Sequence, residues 1–227
     1  MSLFVISDLH LSLNTNKPMT VFMGWDNYVE RIEKNWRDNI TEDDLVVIPG
    51  DISWEMKLSN CVKDFEFIND LPGRKIILKG NHDLWWDTMN KMNKFLEQNG
   101  FDKISIMHNN CYEYGDFVLC GSRGWYFDDT VDQKVINREV GRIKTSIEAG
   151  IKTGKEPILF LHYPPLTRDA MCDDIMNVIR EYNIKRVYYG HIHLGGSYSA
   201  FVGEKYGIMF DCVSCDMMNF MPKLVEK

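Results

Sequence analysis

The chain has 227 residues, 44% apolar and 26% charged, with a formal net charge of −7. That composition fits a globular domain and excludes an extended disordered chain. The acidic balance argues against sequence-independent nucleic-acid binding, which runs on phosphate neutralisation by Lys and Arg. The longest apolar runs, such as Leu45-Val46-Val47-Ile48 and Ile158-Leu159-Phe160-Leu161, are far too short to span a bilayer. One domain over 1–227 is expected.

In chain order, residues 2–7 read as a first strand, with Asp8 and His10 at its exit. Met1 leads straight into this strand with no basic leader, so a cytoplasmic protein is expected. A polar loop over 11–24 holds Asn14, Asn16, Lys17 and Pro18. Asp26 or Asn27 caps a helix to about Asp38 that turns Val29, Ile32 and Trp36 to one side. Residues 45–48 form a strand ending in Pro49-Gly50-Asp51. A helix near 57–70 buries Val62, Phe65 and Ile68 and stops at Leu71-Pro72-Gly73. A strand over 75–79 runs into Gly80-Asn81-His82-Asp83. The next helix, about 86–98, ends at Asn99-Gly100.

The period then shortens. Residues 104–107 and 111–122 read as β runs, the second a hairpin about Tyr114-Gly115-Asp116. Asp132 opens a helix with a stripe of Ile136, Val140, Ile143 and Ile147, closed by Gly150. A strand over 157–162 ends in His162, residues 170–182 are helical, and 186–189 form a strand ending in Gly190. Segments 197–201 and 206–213 read as an antiparallel hairpin. The alternation in the first half and the hairpins in the second predict two mixed sheets packed face to face, flanked by helices: a four-layer α-β-β-α sandwich. The six cysteines are scattered, so reduced thiols are expected; Cys212 and Cys215 form a lone C-x-x-C without a second pair to complete a zinc site and read as buried.

Five of the six histidines sit in or beside strand-end turns, together with Asp8, Asp51 and Asn81. The turns are Ser7-Asp8-Leu9-His10, Gly50-Asp51, Gly80-Asn81-His82-Asp83, Leu161-His162 and Gly190-His191-Ile192-His193. Mixed Asp, Asn and His donors suit Mn, Fe, Zn or Ni rather than Ca or a thiolate-bound ion. The donors are too many for one ion. Two ions about 3.5–4 Å apart need a carboxylate between them. Such a pair would hold phosphate oxygens and lower the pKa of a water between the ions, so no Ser or Cys nucleophile is required.

The sequence D-x-H, G-D, G-N-H-D, H and G-H-x-H, in this order from Asp8 to His193, resembles the calcineurin-like metallophosphoesterase superfamily. The resemblance implies the same two-sheet sandwich and a dinuclear, metal-dependent phosphoric ester hydrolase. It implies that Asp8, His10 and His193 hold one metal, that Asn81, His162 and His191 hold the other, and that Asp51 bridges them. His82 would face the phosphate as general acid, being the side chain with a pKa nearest the working range. The expected substrate is a small phosphomonoester or phosphodiester, nucleotides included, with no membrane partner. A nuclease of the same superfamily is the alternative, and it needs a basic groove. A metal-free scaffold would have lost ligands, and none is missing.

The sequence departs from the protein-phosphatase branch. Gly50-Asp51 leads into Ile52-Ser53-Trp54-Glu55, without the acid and Arg of that branch, which leaves Asp83 or Glu55 as partners for His82. Trp54, Trp85 and Trp86 lie next to site residues; packing is the favoured reading for each, with Trp54 also a candidate substrate wall. Arg123 is a candidate phosphate contact. Lys134, Arg138, Arg142 and Lys144 read as a solvated helix face.

Overall fold

The computed structural model describes residues 1–15, 17, 19–125 and 132–227. The predicted polar-loop residues Asn16 and Pro18 lie outside these.

The inner strands are apolar at nearly every position, so both of their faces must be covered. In β1 (Leu3–Val5) and β2 (Leu45–Ile48), Leu3, Val5, Leu45 and Val47 point one way and Phe4, Val46 and Ile48 the other. The first set meets Leu119, Ile158 and Phe160 of the second sheet, forming the core between the sheets. The second set packs under α1 (Tyr28–Asn39), α2 (Val62–Asp70) and α3 (Met89–Asn99), where Trp36 and Phe65 are fully buried. Each side chain of this size contributes about 1.5–3 kcal/mol on leaving water.

The remaining strands are β3 (Arg74–Ile77), β4 (Ile104–Ile106), β5 (Cys111–Tyr114), β6 (Phe117–Ser122), β7 (Glu156–Leu161), β8 (Arg186–Tyr189), β9 (Gly203–Lys205), β10 (Ile208–Cys212) and β11 (Lys223–Glu226). One sheet has the order β11-β1-β2-β3-β4 and the other β5-β6-β7-β8-β10-β9. The first sheet is parallel except for its edge strand β11, and the second is parallel except for its two edge strands, β5 and β9. Helices α4 (Gln133–Ile151) and α5 (Asp173–Glu181) cover the outer face of the second sheet through Ile143, Ile147, Ile175 and Ile179. The fold is the expected four-layer sandwich of two mixed sheets between helices.

Several elements differ from the sequence reading. The helix expected from 57 is a short 3-10 turn at Leu58–Asn60 followed by α2, and Val62 at its start is exposed while Asp64 is buried. Asn27 precedes α1 but makes no side-chain cap, and Tyr28 rather than Val29 is fully buried. The third helix begins at Met89, not 86, and α5 is shorter at both ends than 170–182. Gly150 does not end α4; it packs on Val118 and Cys120 where a Cβ would collide. Residues 197–201 are not a strand: the tail hairpin is β9 with β10, and β11 joins the first sheet unforeseen. Asp132 does cap α4, accepting from Lys134 N at 2.9 Å, and Gly100 ends α3 in the left-handed region. All six cysteines are free, with Cys212 and Cys215 both buried. Among the described residues no helix is long and apolar enough to cross a membrane.

Candidate metal centre

Parallel strands deliver their C-terminal ends to one edge of the molecule, which is where such sheets build sites. Asp8 and His10 follow β1, Asp51 follows β2, Asn81 and His82 follow β3, His162 follows β7, and His191 and His193 follow β8. The backbone there is forced. Asp8 (φ 60°), His10 (46°), Asp51 (51°) and His191 (70°) all occupy the left-handed region, which disfavours side chains with a Cβ. Gly80 and Gly190 permit the close approach: a Cβ on Gly80 would strike Asp51, and one on Gly190 would strike Asp8.

The result is two groups of donors. Asp8, His10 and His193 bring one atom each within 4.8 Å of one another, and so do Asp51, His162 and His191. Asp51 faces both: its Oδ1 lies 3.5 Å from His162 Nε2 and its Oδ2 lies 3.8 Å from His10 Nε2. Asn81 Oδ1 lies 2.6 Å from His162 Nε2 and 2.9 Å from His191 Nδ1. Every ligand expected from the sequence is therefore gathered in this one place.

Neighbouring carbonyl and carboxylate oxygens set two of the imidazole tautomers. His162 Nδ1–H donates to Pro49 O at 3.0 Å, which leaves the Nε2 lone pair aimed at Asn81 Oδ1. His193 Nδ1–H donates to Asp216 Oδ1 at 3.0 Å, which leaves its Nε2 facing His10 Nε2 at 3.2 Å. Asp51 Oδ2 and His10 Nδ1 are buried without a hydrogen-bond partner. The His162 lone pair turned on an amide oxygen, beside a buried carboxylate oxygen without a partner, fits a positive ion between them.

The charges agree. Burial, then the Asp8 and Asp83 carboxylates, pushes the Asp51 carboxyl well above its ordinary range. Burial lowers His162 to about 3 and His191 to about 4, so both are neutral, as ligands must be. His10 is lowered by burial and then by His193. His193 moves the other way: burial opposes protonation, but Asp216 and then Asp8 lift it above the usual value.

Two residues that sequence reasoning did not assign organise the centre. Asp216 is buried, holds the His193 ring and accepts from Leu194 N at 3.0 Å. Ser214 Oγ donates to Asp8 Oδ2 at 3.0 Å. Asp83 does not meet the ring of His82. Its carboxylate accepts from the N–H groups of Gly80 (2.7 Å), Ile52 (2.8 Å), Asp51 (2.9 Å) and Ser53 (3.3 Å), tying two ligand turns together. Glu55 is buried, and its Oε1 has no partner. Among the described residues neither acid pairs with His82, whose own N–H donates to Asp51 Oδ1 at 2.8 Å.

Trp54 is half-buried and does more than pack. It stacks on His10 with ring centres 4.8 Å apart and lies 4.4 Å from His82, with the Lys17 ammonium over its ring. With Met19, Phe22 and Trp25 it lines a mostly apolar cavity of about 620 Å³ that opens on His10, His82 and His193. Trp85 is core, packed on Phe65 at 5.2 Å. Trp86 and Arg123 instead line a second cavity with Lys79, Arg138 and Arg142. Of the helix face read as solvated, Arg138 and Arg142 thus border a cavity, while Lys144 pairs with Glu181. Burial, then the Arg123 charge, lowers the Lys79 ammonium below its usual range.

A family model described as calcineurin-like phosphoesterase matches residues 1–195. The chain belongs to the calcineurin-like phosphoesterase family. No curated protein matches it in sequence. Among solved structures it is similar in fold to the phosphopantetheinyl hydrolase PptH of Mycobacterium tuberculosis, with TM-score 0.58 and 12% identity over 99% of this chain and 95% of that one. TT1561 of Thermus thermophilus gives TM-score 0.58 and 11% identity over 99% and 97%. AQ665 of Aquifex aeolicus, a protein of unknown function, gives 0.54 and 16% over 98% and 95%.

Proposed function

We propose that this chain is a dinuclear metal-dependent phosphoesterase of small phosphate esters, formed by one domain over 1–227. The observation that carries the reading is Asp51, whose two oxygens face separate donor groups from the middle of the centre. Asp8, His10 and His193 would hold one ion and Asn81, His162 and His191 the other, with Asp51 shared between the two sets. The donor chemistry suits Mn, Fe, Zn or Ni. When bound, the two ions supply Lewis acidity to the phosphoryl oxygens and activate water as the nucleophile.

The chain's own side chains do the rest. Asp216 fixes the His193 tautomer and Pro49 O fixes that of His162, so the lone pairs are aimed before any ion arrives. His82 stands at the mouth of the apolar cavity with its pKa lowered by burial, then by His193 and Lys17. A phosphate anion beside it favours the protonated ring, which then gives its proton to the leaving oxygen. The leaving group lies against Trp54 and Met19. The free thiols suit a reducing compartment such as the cytoplasm.

Asp51→Asn keeps the shape of the side chain and removes the shared charge. Its turnover of p-nitrophenyl phosphate should fall by about 10³-fold or more, with loss of bound metal by elemental analysis. Near-normal rates in metal-loaded variant protein would sink the assignment. Chelation should abolish wild-type turnover and metal return should restore it.

A further inference from the structure

Beyond the second donor group, the ends of β3, β4 and β6 and one side of α4 enclose a polar cavity of about 520 Å³. Lys79, Arg123, Arg138 and Arg142 reach its wall, with Trp86 and His108. Beneath them Glu139 is fully buried. It accepts from Arg142 Nη1 at 2.6 Å and from Ser122 Oγ at 2.9 Å, and its Oε1 lies 3.6 Å from Arg123 Nη2. Arg123 Nε is buried with no hydrogen bond among the described residues. Arg138 is exposed and makes no ion pair among the described residues. The other wall carboxylate, Asp87, is taken by Lys91 at 2.8 Å.

The balance of charge is uneven. Among the described residues, one buried carboxylate anchors two guanidinium groups, and two further cations stand around the same space, on a chain that is acidic as a whole. Like charges gathered in a cavity repel one another, and an anion removes that cost. Guanidinium forks held from behind by Glu139 present their other N–H groups in the planar geometry that phosphate oxygens accept.

The cavity adjoins the metal centre. Lys79 is two residues from Asn81, and Arg123 O accepts from His162 N at 3.1 Å. The Arg123 guanidinium lies 6.0 Å from the ring centre of Tyr163, and that ring meets His191 with ring centres 4.4 Å apart. One ring thus neighbours both an arginine of the cavity and a histidine of the donor group.

We propose that this cavity is a phosphate-binding site separate from the metal centre, and that it takes a second phosphate group of the substrate. The substrate class is then a phosphate ester bearing two phosphoryl groups, one cleaved and one held. The substrate half of this statement rests on the phosphoesterase reading; the binding half does not.

The test uses chelator-treated full-length protein and inorganic pyrophosphate, followed by calorimetry at low salt. Without metal, the carboxylates of the centre repel the probe, and binding reports the cavity. Wild type should bind, and Arg138→Gln and Arg142→Gln should each weaken binding by about tenfold, as loss of a charged hydrogen bond does. Arg142→Gln leaves Glu139 short of a partner; should it unfold, Arg138→Gln carries the comparison on a well-exposed side chain. In metal-loaded protein, Arg138→Gln should lower kcat/KM for the p-nitrophenyl 5′-phosphodiester of thymidine 3′-phosphate, whose second phosphate stays on the retained side, about tenfold more than for the same diester lacking the 3′-phosphate. No heat from wild type at millimolar pyrophosphate, or unchanged affinity in the variants, overturns the proposal. Cavity-dependent binding without turnover of any ester would remove the phosphoesterase reading and leave the anion site standing. Turnover without binding would do the reverse.

Discussion

The two flanks of the metal centre have opposite chemistry. Over His10 and His193 the wall is carbon: Trp54, Trp25, Met19 and Phe22. Past His162 and Tyr163 the wall is cationic: Lys79, Arg123, Arg138 and Arg142. The donor groups between them are nearly alike, each a set of two imidazoles and an oxygen ligand sharing Asp51. The centre alone therefore has little means of orienting a phosphate ester. On the proposed function the flanks would do it, with the apolar part towards His82 and the charged part towards Arg123, and hydrolysis would release the group lying nearest His82.

That contrast can be broken from the apolar side. His82→Ala should lower kcat by about 10²–10⁴-fold while both metals remain bound, since it removes a proton donor and no ligand. Metal loss on this change would move His82 into the coordination sphere. Asp216→Ala should weaken metal affinity by about 10–100-fold, measured by chelator competition, because the His193 ring loses the group that aims it. Unaltered affinity would make Asp216 a support of the Leu194 turn alone. Trp54→Ala should act least, raising KM about fivefold for an aryl phosphate and less for phosphate esters of small polar alcohols. An equal rise for both would show that Trp54 only holds His10 in place.

The donor set was legible because each ligand follows an apolar strand directly, and the Gly-Asn-His-Asp and Gly-His-x-His turns carry their chemistry in adjacent positions. The sandwich was legible for a related reason: runs such as Val46-Val47-Ile48 are apolar on both faces and must lie between layers. Asp216 follows the same grammar, coming just after β10 and Val213, but the neighbouring cysteines drew attention to sulfur instead. The cationic flank was hidden because its residues come from three distant segments. Only Arg138 and Arg142, four apart on α4, share a helix face that the sequence could have disclosed. β11 is short, polar and half-exposed at a sheet edge, where strand patterning is weakest. Asp83 was misjudged for a different reason. Its neighbourhood to His82 along the chain says nothing of where its carboxylate turns, and four backbone N–H groups claim it first.

The left-handed backbone at Asp8, His10, Asp51 and His191 sets a trap for redesign towards heat resistance. Judged one position at a time, glycine is the better residue at all four, by about 1 kcal/mol each. A library selected for survival on heating would drift towards a sturdier molecule with a vacant middle. Durability is better sought at exposed Tyr206, whose φ of 58° lies in the same region far along the chain from any ligand.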